Sequence, residues 1–208
     1  MTRSRPLDPV EGDDTLPAEA DVVVIGAGIA GTSAAWHLAK KGHSVALLEK
    51  GVVAGEQSSR NWGWCRVQNR DEREIPIMQH SMELWGSLPE EIGADMGFRR
   101  KGIIWVTKDP QQLATWESWV NMAQQYQVQT RMMSAEEARE KTPGTDEPWI
   151  GGVLSPNDGR AEPSMAVPAL AKAARRNGVK IYQNCAVRGL DLQAGRVAGV
   201  FTEKGRIR

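Results

Sequence analysis

Residues 21–50 read Asp-Val-Val-Val-Ile-Gly-Ala-Gly-Ile-Ala-Gly, then Thr-Ser-Ala-Ala-Trp-His-Leu-Ala-Lys-Lys-Gly, then His-Ser-Val-Ala-Leu-Leu-Glu-Lys. A β-branched run from Asp21 to Ile25 suits a strand covered on both faces, and Ile29, Ala34, Ala35, Leu38 and Ala39 form an apolar stripe at helical spacing. Gly42 ends that helix, and Val45 to Leu48 resumes the strand pattern. Strand, glycine turn, helix and second strand in this order are the opening of a parallel, doubly wound sheet. Each glycine meets a separate steric need, since Gly26 permits the sharp turn, Gly28 lets backbone approach a pyrophosphate, and Gly31 lets the helix pack closely on the strand. Free amides at the helix start favour phosphate oxygens. Glu49, about 20 residues beyond the first glycine, is placed to accept hydrogen bonds from ribose hydroxyls and disfavours a 2′-phosphate. The segment reads as a dinucleotide site.

The rest of the composition narrows the class. Lysine plus arginine number 26 and aspartate plus glutamate number 26, so no overall field draws the chain to nucleic acid or an anionic membrane. No apolar run is long enough to span a bilayer, and a soluble, cytoplasmic protein is expected. Cys65 and Cys185 stand far apart with no CxxC pair, which points to neither a disulfide framework nor a metal site. Residues 1–20, rich in proline and acids, read as a mobile tail.

After Glu49 the loop 51–66 is rich in glycine and serine and then turns aromatic and basic. Gln57, Ser58 and Ser59 offer hydrogen-bonding groups, Arg60 and Arg66 fixed charge, and Trp62 and Trp64 flat faces that either edge a cofactor ring or pin the loop to the core. Helices are expected over Ile75–Leu88 and Gln111–Tyr126, the latter with a core stripe of Leu113, Trp116, Trp119, Val120 and Ala123. His80 reads as an ordinary helix residue rather than a base. Ser134-Ala-Glu-Glu is a capping box, and Gly102–Thr107 and Ile150–Leu154 are strands. A proline-marked helix runs from Ala161-Glu-Pro-Ser164 to Asn177, followed by a strand at Val179–Tyr182. A hairpin turns at Ala194-Gly195, and a last strand begins at Gly205.

These residues resemble the D-amino-acid oxidase and sarcosine oxidase family of FAD-dependent oxidoreductases, from about Asp21 to Arg208. The resemblance rests on the nucleotide fingerprint with Glu49 and on Ser58-Ser59-Arg60-Asn61. It rests also on Arg73-Glu74-Ile75-Pro76 before Leu84-Trp85, on Gly102-Ile-Ile-Trp-Val106, and on Pro156-Asn-Asp-Gly159 followed by Pro163. It implies an α/β fold: a Rossmann-like FAD-binding domain with a parallel sheet, helices and a β-meander, interrupted by an α+β segment of a substrate domain. The expected division is a tail over 1–20, an incomplete FAD-binding domain over 21–74 and 155–208, and part of the substrate domain over 75–154.

By the same resemblance Gly26, Ala27, Gly28, Ile29, Ala30 and Gly31 hold the pyrophosphate, Glu49 and Lys50 the ribose region, and Ser58, Ser59, Arg60 and Asn61 the flavin side. Val187 lies where strand backbone meets the adenine, and Arg66 faces the flavin or the substrate as the candidate catalytic residue. Residues 51–70 contain no histidine, so FAD bound without a covalent link is expected. The implied reaction removes a hydride from the carbon beside an amine of an amino acid or secondary amine, giving an imine, with oxygen or another carrier taking the electrons. Relatives of this kind continue beyond the region matched here, so the chain reads as an N-terminal portion, completed by a further segment or a partner subunit. An open strand edge at Arg208 makes self-association an expectation. The alternatives are a non-catalytic module that binds FAD or only its ADP half, and an NAD-dependent dehydrogenase.

Overall fold

A computed structural model describes residues 5–208. In chain order its elements are β1 (Val22–Ile25), α1 (Ile29–Lys40), β2 (Val45–Leu48), α2 (Gln57–Arg60), β3 (Trp64–Cys65), α3 (Ile75–Glu91), β4 (Ile103–Thr107) and α4 (Pro110–Ala123). There follow β5 (Arg131–Met133), α5 (Ala135–Lys141), β6 (Gly151–Ser155), β7 (Gly159–Arg160), α6 (Pro163–Arg176), β8 (Lys180–Tyr182), β9 (Val187–Gln193), β10 (Arg196–Thr202) and β11 (Gly205–Ile207). The chain forms two compact units. The first comprises the residues through Trp62, Ile92–Gly97 and Glu162–Arg208, and the second Gly63–Glu91 and Phe98–Ala161. These divisions fall at 62/63, 91/92, 97/98 and 161/162, against 74/75 and 154/155 read from the sequence.

In the first unit β2 lies between β1 and β8, all parallel, with Val22 opposite Val45 and Ala46 opposite Lys180. Every residue of β2 is buried, which is why that strand is a continuous apolar run. The meander β9–β10–β11 is antiparallel, and its tight turn is carried by Ala194 and Gly195, both at positive φ. Ala46, Leu48, Tyr182, Cys185, Val200 and Ile207 form a core cluster, with Leu16, Ala20, Val23 and Val187 packed against it.

Helix α1 departs from the expected stripe. Its buried residues are Thr32, Ala35 and Trp36, whereas Ile29 and Ala34 are exposed. The cause is Gly31: a Cβ built there would stand 1.9 Å from the Gly26 carbonyl oxygen and 3.3 Å from Val24 Cγ1, so the helix approaches the strand at a residue without a side chain. Helix α6 packs on α1 with an alanine-rich face that is almost wholly buried.

The N-terminal segment is a correction to the sequence reading; Met1–Ser4 lie outside the described residues, but the residues that follow are fastened rather than mobile. Asp13 donates its amide to Ile181 O at 2.6 Å and accepts the Ile181 amide on Oδ2 at 2.8 Å. Arg208 is bracketed as well: its amide donates to Ala18 O at 3.1 Å, and Ala20 donates to its carbonyl at 2.8 Å. The edge expected to be open at Arg208 therefore has partners. This segment has little apolar content to advertise its fixed position; hydrogen bonds hold it, and each has a backbone group on at least one side, which any residue type offers.

In the second unit β6 lies between β4 and β5, all antiparallel. Trp116 and Val120 of α4 bury against Val153 of β6, with Trp105, Leu113, Trp119 and Met132 around them, as the helical spacing requires. Ser134 accepts the Glu137 amide at 3.1 Å and caps α5. β5 and the short β3–β7 ladder, Trp64 opposite Arg160 and Cys65 opposite Gly159, were not signalled by alternation in the sequence. No helix among the described residues is long and apolar enough to cross a membrane.

Candidate functional site

The glycine turn of the first unit leaves β1 at Gly26, whose φ of 98° is disfavoured for any residue with a side chain. Its amide donates to Leu48 O at 2.7 Å. The next amide, Ala27, donates to Glu49 Oε2 at 2.8 Å, and Gly51 donates to Glu49 Oε1 at 2.8 Å. Glu49 is buried and its backbone is clamped too, its amide donating to Tyr182 O and its carbonyl accepting from Cys185, so the carboxylate has one orientation. Each oxygen uses one lone pair on the protein, and a carboxylate has about four acceptor sites.

At the start of α1 the Ile29 amide donates to Ser58 Oγ at 2.9 Å. Among the described residues the amides of Gly28, Ala30 and Gly31 meet no protein acceptor. Three donors thus remain without protein acceptors at a helix N-terminus, and a Cβ on Gly28 would stand 2.9 Å from Ser58 Oγ. This donor set fits a pyrophosphate, and the oriented Glu49 fits the adjoining ribose.

The other residues singled out in the sequence are dispersed. Ser59 Oγ donates to Glu56 O at 3.1 Å, Arg60 Nη2 to Gly55 O at 3.2 Å, and Asn61 Nδ2 to Gln57 O at 2.8 Å. Lys50 Nζ lies 3.3 Å from Glu56 Oε1. Those groups fold residues 55–61 on themselves, and Ser58 bonds the glycine turn through the Ile29 amide. Val187 opens β9 and packs on the core cluster. Trp62 is 74% exposed; Trp64 is 41% exposed and leans its ring on Trp105, 6.2 Å away, beside the core of the second unit.

Arg66 belongs to the second unit. Its guanidinium sits 5.2 Å from the Trp105 ring centroid and donates to Gln68 O, while Trp105 lies between Trp64 at 6.2 Å and Trp116 at 5.8 Å. Burial, with the Arg70 charge nearby, draws the guanidinium below its usual value; it remains charged at neutral pH.

The sequence reading missed Asp158. This buried carboxylate accepts the Val67 amide on Oδ1 at 2.9 Å and the Gln68 amide on Oδ2 at 3.1 Å, and so fixes the turn that carries Arg66. Burial pushes its carboxyl above the usual carboxylate range, against the two amides and the charges of Arg66 and Arg100. Next to it, Thr130 Oγ1 and Ser155 Oγ are 2.6 Å apart, and Ser155 Oγ donates to Gln68 Oε1 at 2.9 Å. A cleft of about 250 Å³ opens over Ser155, Asp158 and Arg100. In the sequence Asp158 looked like a turn residue of Pro156-Asn-Asp-Gly159, and nothing local marks a partner 91 residues away. Among the described residues no cluster of histidine, cysteine or acids could hold a metal ion.

Comparison with known proteins agrees with this geometry. Residues 21–208 match the family model DAO, described as FAD dependent oxidoreductase. The structure of an L-amino acid deaminase from Proteus myxofaciens in complex with anthranilate superimposes with a TM-score of 0.91 at 36% identity, covering 99% of this chain and 47% of that one. Sarcosine oxidase subunit beta of Arthrobacter is 31% identical over 90% of this chain and 48% of its own length. The mitochondrial pyruvate dehydrogenase phosphatase regulatory subunit of Mus musculus is 30% identical over 92% of this chain and 22% of its own length. The chain thus spans half or less of each of these proteins.

Proposed function

The chain belongs to the DAO family of FAD-dependent oxidoreductases, and we propose that it binds FAD without a covalent link and serves in oxidation of the C–H bond beside an amine. The observation that carries this reading is the cradle of unpartnered amides at Gly28, Ala30 and Gly31 beside a Glu49 carboxylate oriented by Ala27 and Gly51. The amides donate to pyrophosphate oxygens at the positive end of α1, so no lysine is required. Glu49 accepts from ribose hydroxyls with the lone pairs that its two backbone donors leave. Lys50 serves the ribose region with Glu49, Ser58, Ser59, Arg60 and Asn61 serve the flavin side, and Val187 offers backbone to the adenine. Residues 51–70 hold no histidine to which a flavin could be attached.

A flavin held there would supply the acceptor for a hydride from the amine carbon, and loss of the nitrogen proton would complete the imine. Arg66 supplies a fixed positive charge for a substrate carboxylate or for the flavin edge, and Asp158 keeps the turn beneath it rigid. The substrate is an amino acid or secondary amine, the electrons go to oxygen or another carrier, and further sequence or a partner subunit completes the site. Residues 21–74 and 155–208 are read as the FAD-binding part, and residues 75–154 as contributing to substrate binding. A cytoplasmic location is our reading of the compartment.

A second reading is binding without turnover, favoured by the 30% identity to a protein named as a regulatory subunit. Thermal shift with FAD, ADP and NAD, followed by desalting, tests the set. Flavin retained on the column supports the proposal, and bleaching of that flavin by an amine under anaerobic conditions separates oxidation from mere binding. Stabilisation by NAD alone would replace FAD with a nicotinamide cofactor.

A further inference from the structure

A hydrogen-bonded path runs from the N-terminal arm to the glycine turn. The side-chain amide of Gln183 stands in the middle of it: Nε2 donates to Val10 O at 2.9 Å, and Oε1 accepts the Val53 amide at 2.8 Å. A carbonyl on one side and an N–H on the other leave the amide group one orientation. Beyond Val53, the Ala54 amide donates to Ala27 O at 3.0 Å, and the Ala27 amide is the one that holds Glu49 Oε2.

Ala54 needs such support, because it is buried with φ at 61°, a left-handed conformation that an alanine adopts at a cost. The arm in turn is anchored at a place the sequence dictates. Pro168 inside α6 has no N–H for the carbonyl of Ser164, and the Asp8 amide donates to that carbonyl at 3.1 Å instead. The Arg175 guanidinium donates to Glu11 O, which fastens the arm on the other side of Val10.

We propose that residues 8–11, acting through Gln183, are a positioning element for the nucleotide turn: the arm fixes the Gln183 amide, which holds the strained 53–54 turn against Ala27. The inference rests on the reading of the glycine turn as a nucleotide site. Gln183 and the arm touch no ligand; their effect reaches it through the backbone.

The test compares ADP affinity by calorimetry for the parent chain, a deletion of residues 2–12, Gln183→Leu, and the two combined, with hydrogen exchange at individual amides. Each change is expected to weaken ADP binding about fivefold, the worth of one supporting hydrogen bond, and the combination to be no weaker than Gln183→Leu alone. Exchange at Val53 and Ala54 should quicken while Leu47 in the sheet is unaffected. A merely structural arm would lower thermal stability and act additively with Gln183→Leu, which overturns the proposal. Unchanged affinity in Gln183→Leu overturns it even if the deletion fails to fold. A parent chain that binds no ADP fails earlier, at the nucleotide reading itself.

Discussion

Replacing Glu49 by glutamine keeps the shape of the side chain and removes half of its accepting capacity. In the structure the carboxylate accepts the Ala27 and Gly51 amides, both at 2.8 Å, and the residue is buried. The glutamine oxygen can serve one amide; its NH₂ then faces the other donor. One charge-assisted bond becomes a neutral one and a second is lost with its N–H left unpaired, which together cost about 2–4 kcal/mol of stability in the absence of ligand. Ligand binding loses a separate contribution, about 1–3 kcal/mol for weakened bonds to ribose hydroxyls, equivalent to roughly 5- to 150-fold in affinity. Urea denaturation followed by circular dichroism reads the first quantity, and calorimetry with ADP the second. Deoxygenated ADP separates the two roles. If Glu49 touches the ribose, Glu49→Gln should weaken ADP far more than the analogues lacking the 2′- or 3′-hydroxyl. Equal losses for all three ligands would reduce Glu49 to a brace for the turn, and an unchanged urea midpoint would refute the bracing.

Three other substitutions and one titration probe the remaining geometry. Gly31→Ala places a Cβ 1.9 Å from the Gly26 carbonyl oxygen; it should cost about 3 kcal/mol or more in stability and abolish flavin retention on desalting. Gly28→Ala, which meets only the rotatable Ser58 hydroxyl, should be milder, and the reverse order would contradict the packing. Asp158→Ala strands the Val67 and Gln68 amides and should lower stability by roughly 2–5 kcal/mol, with loss of the near-ultraviolet signal of Trp105; a shift in the urea midpoint too small to resolve would show that the clamp is idle. Burial pushes the Cys65 thiol up to about 11, from 9.0 when unhindered, with the Asp158 charge adding to the effect and a hydrogen bond from the Ala161 backbone opposing it. Its contribution to stability is complete below the unfolded value and is lost as pH rises from about 9 through 11, because the unfolded thiol ionises first. Native protein should therefore resist iodoacetamide at pH 8, and mass spectrometry showing rapid alkylation of Cys65 would contradict its burial.

What could be read from the sequence was the part encoded by short-range pattern. Val22–Ile25, the glycine turn and Val45–Leu48 are legible because strand conformation, positive φ and close helix packing each demand a residue type within a few positions; full burial holds for Val45–Leu48, whereas Val22–Val24 are half-buried and Ile25 is exposed, short of the covered strand expected. The α4 stripe was legible for the same reason, and the Ser134 cap through its hydroxyl. The buried face of α1 was misjudged because close approach to the strand at Gly31 turns Thr32, Ala35 and Trp36 inward and leaves Ile29 and Ala34 exposed. Ser59, Arg60 and Asn61 look like ligand-binding groups in composition, and only their hydrogen bonds within the loop show that they also build it.

The harder class consists of polar groups whose partners are distant in sequence. Asp158 meets amides about 90 residues before it, and Asp13 meets Ile181 across 168 residues. A carboxylate that accepts backbone amides has no preferred neighbour in the sequence, because every non-proline residue offers the same N–H. Charged and proline-rich composition therefore describes a mobile tail and a fastened arm equally well. One local clue does separate them: Pro168 in the middle of an otherwise regular helix leaves the Ser164 carbonyl without its usual donor, so some amide from elsewhere in the chain must approach. Asp8 is that donor. A buried helix with an internal proline thus signals a docked segment, and removing the arm should expose the Ser164 carbonyl to water. A downshift of the Ser164 carbonyl stretch in isotope-edited infrared spectra of the deletion of residues 2–12, without change at Ala173, is the expected result; identical spectra would mean that another group already satisfies that carbonyl.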